Sequence, residues 1–186
     1  TAAYREIAAL PLADRVARMR QPEFRARVIA QATGLAASKD PFQRRLSAFD
    51  RVFPLVDPPD YEPPLSSSIA AQAAREGRLP AELAYDLLLE KDGRNFLLAP
   101  FANYAYGNLD ACGDMIDSPH TLLGLGDGGA HVSIISDASF PTYLLAHWGR
   151  DRSHDRRPIE QLVKKLTSDN ARAIRLLDRG VLAPGM

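Results

Sequence analysis

The sequence has one cysteine, Cys112, no net charge and no long apolar run among its 186 residues. A single cysteine excludes an internal disulfide framework and is typical of a reducing compartment, so we expect a cytoplasmic protein. Lys+Arg and Asp+Glu number 23 each, which gives no basic excess to indicate a nucleic-acid partner. No apolar run approaches the ~18 residues of a membrane span. The composition, with 46% apolar and 25% charged residues, is typical of an ordinary globular protein.

The first third of the chain shows helical spacing of apolar residues. Leu12, Val16 and Met19 lie on one helical face, and a second face includes Phe24, Val28 and Ile29. Gly34 is expected to end that second helix. The pair Asp40-Pro41 predicts a cap and first turn, with a short helix to about residue 49.

Beyond residue 50, three short apolar runs alternate with helical patterns. The runs 51–56, 94–101 and 121–126 are strand candidates, and 121–126 is typical of a strand buried on both faces. Residues 57–68 hold closely spaced prolines and predict an extended loop. A helix is expected at about 67–76, where serines cap its start and Gly77 ends it. Further helices are expected at about 80–93, 109–117, 140–148 and 158–166, and Ser168 is expected to cap a last one. The order predicts a helix-rich α/β fold.

A lone acid, Asp127, follows the third run among the glycines 124, 126, 128 and 129. Functional sites of α/β folds gather where strands end, and glycine allows a ligand to approach the backbone closely. A D-G-G turn by itself is more often a solvated turn. The local pattern therefore leaves both a functional acid and a plain turn open.

Several separated blocks resemble the amidohydrolase superfamily, in its branch of N-acyl-D-amino-acid deacylases. The blocks are GLGDGGAHVSIISDASFPTYLLAHWGRDR (124–152), RVFPLVDPPDYEPP (51–64), IAAQAAREGRLPAELAYDLLLEKDG (69–93), LAPFANYAYGN (98–108) and LTSDNARAIRLLDRGVLAPGM (166–186). The resemblance implies a (β/α)8 TIM barrel with one or two divalent metals, usually Zn2+, and hydrolysis of a small N-acyl or other amide substrate. It also implies that Asp127 is the acid that follows the eighth strand. In the family this acid contacts the metal and moves a proton from water to the leaving nitrogen.

The chain departs from that family in its histidines and its length. It has four histidines, at 120, 131, 147 and 154, and no H-x-H pair. A closed barrel needs eight strands and about 250 residues. We therefore expect the C-terminal part of a barrel, with a helical lead-in at 1–50 and the last strands and helices at 51–186. The N-terminal barrel half and a small β-domain would lie outside it. Such a piece is expected not to assemble the metal centre alone, and to self-associate through its exposed barrel edge.

Other residues have two interpretations each. His131 is either a loop histidine bonding the backbone or a substrate contact, and Tyr61 either a structural tyrosine or a substrate contact in the loop after the seventh strand. Asp137 suits a helix cap, and Cys112 suits a helix core. Trp148 is expected in the core and 150–157 (RDRSHDRR) in a solvated loop. Asn103, Tyr104 and Tyr106 predict a polar-aromatic cluster, which either borders a pocket or packs with a solvated edge.

Substrate and activity stay open at this point. The deacylases are expected to hold the substrate carboxylate with an arginine after the eighth strand, but this chain has no Arg or Lys between Asp127 and Phe140. Another amide, a carbamoyl compound or a cyclic imide is then an alternative substrate. A non-catalytic interaction module that keeps the end of the fold is the alternative to an enzyme.

Overall fold

The structure is a computed structural model that describes residues 1–100, 102–124, 126 and 138–185. The chain divides into two compact units, Thr1–Leu109 and Asp110–Met186. The predicted boundary near residue 50 stays a prediction. Across the described residues, every helix is too short or too polar to cross a lipid bilayer.

The first unit is mainly helical, with one small sheet. Its strands β1 (Phe53–Pro54) and β2 (Leu97–Leu98) pair antiparallel, with Phe53 opposite Leu98. Short 3-10 turns cover Leu35–Ala37 and Leu65–Ser67. Its α-helices are α1 (Ala2–Arg5), α2 (Leu12–Met19), α3 (Pro22–Gly34), α4 (Pro41–Ser47), α5 (Ile69–Glu76) and α6 (Pro80–Gly93).

Helix ends in this unit follow local chemistry. The Asp40 carboxylate accepts the Phe42 backbone N–H at 2.9 Å and begins α4, as predicted. The Ser68 hydroxyl accepts the Ala71 N–H at 3.2 Å, and Gly77 ends α5 with a left-handed φ of 65°. The α-helix α3 also ends at Gly34, as predicted, although the φ of Gly34 is −63° and a 3-10 turn follows in place of a left-handed cap.

The core of the first unit forms around the predicted apolar faces. Phe24, Val28 and Ile29 of α3 are buried in one cluster with α1 and with Tyr85 of α6. A second cluster joins α5 and α6 and contains Val52, Ile69, Ala73, Leu83 and Ala84. Ala84 and Tyr85 supply the buried face of α6, and Leu88 is 38% exposed.

Tyr104 anchors the proline-rich loop to the small sheet. Its ring meets that of buried Phe53 edge-on at 6.0 Å, and its hydroxyl donates to the Pro63 carbonyl. Burial, together with the nearby charges of Glu62 and Asp60, raises the pKa of Tyr104 to about 12. Of the two interpretations of the polar-aromatic cluster, the structure favours packing for Tyr104, which is buried, whereas Tyr106 is 81% exposed.

The described residues of the second unit form three helical stretches. The first is α7 (Asp110–Asp117), which includes Cys112 as predicted. The second is α8 (Phe140–Tyr143), continued by a π-helical stretch over Leu144–Asp151. The third is α9 (Ile159–Lys164), continued by a π-helical stretch over Lys165–Asp169 and by α10 (Asn170–Ala173). Ser168, predicted as a cap, lies buried inside this third stretch instead.

The strand predicted at 121–126 is wrong for its described residues. Residues 121–124 and 126 are not in a strand, and Leu122 is 52% exposed. The Thr121 hydroxyl donates to the Ser118 carbonyl at 3.1 Å, which is a local turn contact. A strand is stable only when its backbone groups pair with a neighbouring strand. The one pairing in the described part of the chain is β1 with β2, and it is antiparallel, not the parallel pairing of a barrel.

Candidate functional site

The predicted site residues fall in different places. Asp127, His131 and Asp137 lie outside the described residues. Tyr61 lies in the proline-rich loop of the first unit, and it is 45% exposed. The roles of these four residues therefore stay predictions.

The segment that precedes Asp127 is held by the third helical stretch. The Nζ of Lys165 donates to the Ser118 carbonyl at 2.7 Å, and the Nδ2 of Asn170 donates to the Leu123 carbonyl at 3.0 Å. The Oδ1 of Asn170 is buried and has no hydrogen-bond partner among the described residues. These bonds fix both ends of residues 118–123, four residues short of Asp127. Sequence reasoning missed both donors, although Asn170 lies in the family-like block at 166–186.

A groove of about 590 Å³ lies between this segment and the helix in the second unit. Its volume falls in the range of small-molecule sites. The lining residues are Asp117, Pro119, Thr121, Leu122, Gln161, Lys164, Lys165, Asp169, Arg172 and Ala173. The groove is thus mainly polar and charged, with an apolar strip.

Two buried arginines flank Trp148 beside the groove. The guanidinium carbons of Arg152 and Arg157 lie 4.5 and 5.0 Å from the centre of the Trp148 ring. Their side chains are only 1% and 5% exposed, so the expected solvated loop at 150–157 is wrong for both. A Cβ on Gly113 would lie 2.6 Å from the Arg157 guanidinium, so a side chain at this position of α7 would displace that guanidinium. Trp148 is in the core, as predicted.

Aspartates neutralise the buried arginines. Asp117 pairs with Arg157 at 2.8 Å and accepts a hydrogen bond from Gln161 at 3.0 Å, while Asp155 lies 2.9 Å from Arg157. The Arg157 hydrogen bond holds the pKa of Asp117 below its usual range. Buried charges are tolerated when they are paired in this way. The cluster therefore fixes α7 against the π-helical stretch that carries Trp148.

Asp110 and His154 are candidate metal ligands within the second unit. His154 Nε2 lies 3.3 Å from Asp110 Oδ1, a donor pair that divalent metals use. The same carboxylate oxygen also accepts from the buried guanidinium of Arg152, and the Arg152 hydrogen bond, followed by that of His154, lowers the pKa of Asp110. A dication beside a permanently charged guanidinium would be repelled. This pair does not fit a resident metal.

The Asp117–Arg157 pair is expected to lose its contribution to stability in acid. Because the folded pKa of Asp117 lies below its unfolded value near ~3.9, the contribution is present above that pH and is lost as pH falls through the folded pKa. The difference in unfolding free energy between wild type and Asp117→Asn should therefore shrink below about pH 4.

Urea unfolding at several pH values measures this difference. Glu160→Gln is the matched control, since Glu160 is exposed and forms no ion pair within the described part of the chain. A wild-type advantage over Asp117→Asn that stays constant down to pH 2 would contradict the predicted linkage.

Comparison with known proteins gives one result. The protein-family model described as "Amidohydrolase family" matches residues 2–186. No curated protein and no solved structure matches the chain. The matched range covers both units and includes Asp127 and the third helical stretch. This chain therefore belongs to the amidohydrolase family.

Proposed function

We propose that the protein carrying this chain hydrolyses a non-peptide C–N bond of a small amide, in the manner of the N-acyl-D-amino-acid deacylases. The observation that carries the proposal is the family match over residues 2–186, since this is a family of generally metal-dependent hydrolases. In this proposal the chain is the C-terminal part of a (β/α)8 barrel, and zinc is the metal, with one or two ions. The deacylase-like blocks at 51–64, 98–108 and 124–152 support this branch.

Asp127 is the proposed acid and base. A bound divalent metal lowers the pKa of water to roughly 7, which makes a nucleophile available at neutral pH. A carboxylate next to that water accepts its proton and then protonates the leaving nitrogen, so that the C–N bond breaks with a neutral amine as the product. The glycines around Asp127 suit this role, because they let substrate approach the backbone.

Two further residues are proposed substrate contacts. Tyr61 lies on the proline-rich loop and is 45% exposed, which supports this role. His131 follows Asp127 by four residues in the sequence. The lack of Arg and Lys between Asp127 and Phe140 removes the usual carboxylate-binding residue, so carbamoyl compounds and cyclic imides belong among the candidate substrates beside N-acyl-D-amino acids.

The test is hydrolysis by the intact protein that carries this chain. It is assayed with zinc against an N-acyl-D-amino acid, its L-enantiomer, an N-carbamoyl amino acid and a cyclic imide. We expect turnover of at least one of these, loss of turnover on chelation, and recovery when zinc is added back. Absence of hydrolysis of all four by folded, zinc-loaded protein would contradict the proposal and favour the non-catalytic module.

A further inference from the structure

The groove of the second unit carries more positive than negative charge. Its lining includes three cations, Lys164, Lys165 and Arg172, and two carboxylates, Asp117 and Asp169. Both carboxylates already have cationic partners. Asp169 pairs with Lys164 at 2.6 Å, and Asp117 pairs with Arg157, which lies outside the lining.

Lys165 and Arg172 are therefore the cations left to bind a ligand. Lys165 is more than nine-tenths buried, and the partner of its ammonium is a neutral carbonyl, that of Ser118. An ammonium has three N–H donors, so further donors remain. No described residue forms a hydrogen bond or ion pair with the guanidinium of Arg172, which is exposed at the groove. Asp117 supplies part of the counter-charge of Lys165, but it shares its charge with Arg157. A buried cation without a full counter-charge is costly, and an anion in the groove would supply the rest.

An apolar strip accompanies these cations. Pro119, Leu122 and Ala173 line the groove, and Leu122 is 52% exposed despite its large apolar side chain. A ligand with a hydrocarbon body would cover Leu122 while its anionic group meets Arg172, whose planar guanidinium binds carboxylates through two parallel hydrogen bonds.

We propose that this groove binds a small organic carboxylate with a short apolar body. Arg172 and Lys165 hold the carboxylate, and Leu122 contacts the hydrocarbon part. The site uses none of the residues of the proposed hydrolytic function, so it stands or falls separately from that function. Inorganic phosphate shares the charge but not the apolar body, which makes it the discriminating probe.

In the experiment, the intact protein is titrated with acetate, butyrate and inorganic phosphate, and chloride keeps the ionic strength constant. Binding is measured by calorimetry and by the shift in unfolding temperature. We expect saturable binding that is tighter for butyrate than for acetate or phosphate. Arg172→Met should weaken butyrate binding by about tenfold or more, because a charge-assisted hydrogen bond is lost. Leu122→Asn should abolish the advantage of butyrate over acetate.

Arg179→Met is the matched control. Arg179 is an exposed arginine outside the groove whose partner is the adjacent Asp178, and its replacement should leave binding unchanged. Both Arg172 and Leu122 are exposed, so their replacement should not unfold the protein. Equal effects of Arg172→Met and Arg179→Met, or tighter binding of phosphate than of butyrate, would overturn the proposal. Retained butyrate binding in an Asp127→Asn protein without turnover would show that the two sites are independent.

Discussion

Replacing Asp127 with asparagine in the intact, zinc-loaded protein is expected to lower kcat by about 10²- to 10⁴-fold, the range typical of a lost general acid-base. Asparagine keeps the size and shape of the side chain but cannot accept or deliver a proton at neutral pH. The substrate should still bind, so KM should change much less than kcat. The measurement is steady-state kinetics on whichever amide the protein hydrolyses.

Asp178→Asn is the control for this prediction. The Asp178 side chain is 68% exposed and pairs with the adjacent Arg179, so its replacement should leave kcat unchanged. Circular dichroism and the unfolding temperature of both variants should match the wild type. Turnover by the Asp127 variant within about threefold of wild type would remove Asp127 from the chemistry, whatever the family.

Replacing Trp148 with alanine is expected to have the largest effect on stability of any change considered, a loss of about 3–5 kcal/mol in the free energy of unfolding. The ring is 3% exposed, so its removal leaves a cavity in the second unit. Arg152 and Arg157 would also lose the aromatic face that lies 4.5 and 5.0 Å from their guanidinium carbons. The loss of both cation–π contacts adds to the cavity term.

Denaturant unfolding compares this variant with two others. Trp148→Phe keeps an aromatic face of smaller area and should lose less than Trp148→Ala. Leu182→Ala changes a fully exposed apolar residue and should have an effect within about 0.5 kcal/mol of zero. A destabilisation by Trp148→Ala no larger than that of Leu182→Ala would contradict the assignment of Trp148 to the core of the second unit.

Helix boundaries were predictable where a cap lies beside the helix. Asp40 before Pro41, and Ser68 with Gly77, begin and end α4 and α5 as their residue types indicate. Such contacts join residues within four positions of each other, so a short window contains the relevant chemistry. The end of α3 at Gly34 was predicted as well, although a 3-10 turn follows it. The prediction failed at Ser168, where the helical backbone continues through the expected cap.

Strands were predicted less well because they depend on distant partners. The runs at 51–56 and 94–101 form only two-residue strands, and they pair antiparallel across more than 40 positions. The run at 121–124 has strand composition, but side chains of Lys165 and Asn170 bond the carbonyls of Ser118 and Leu123, where a neighbouring strand would otherwise pair. The composition of a run indicates how its side chains can pack, but a strand forms only where another strand is available to hydrogen-bond with it.

The amino-acid sequence by itself determined the helix-rich character, most helix positions and the kinship with amidohydrolases, because these depend on neighbouring residues and on motifs. The role of Asp127 stays a prediction from those motifs. Only the tertiary structure decided which charged side chains are buried. The loop 150–157 has the composition of a solvated segment, yet Arg152 and Arg157 are buried against Trp148 and pair with Asp110 and Asp117, about 40 residues earlier. Burial of a charge depends on the aromatic face and counter-charge that other segments bring to it, and a local pattern does not contain that information.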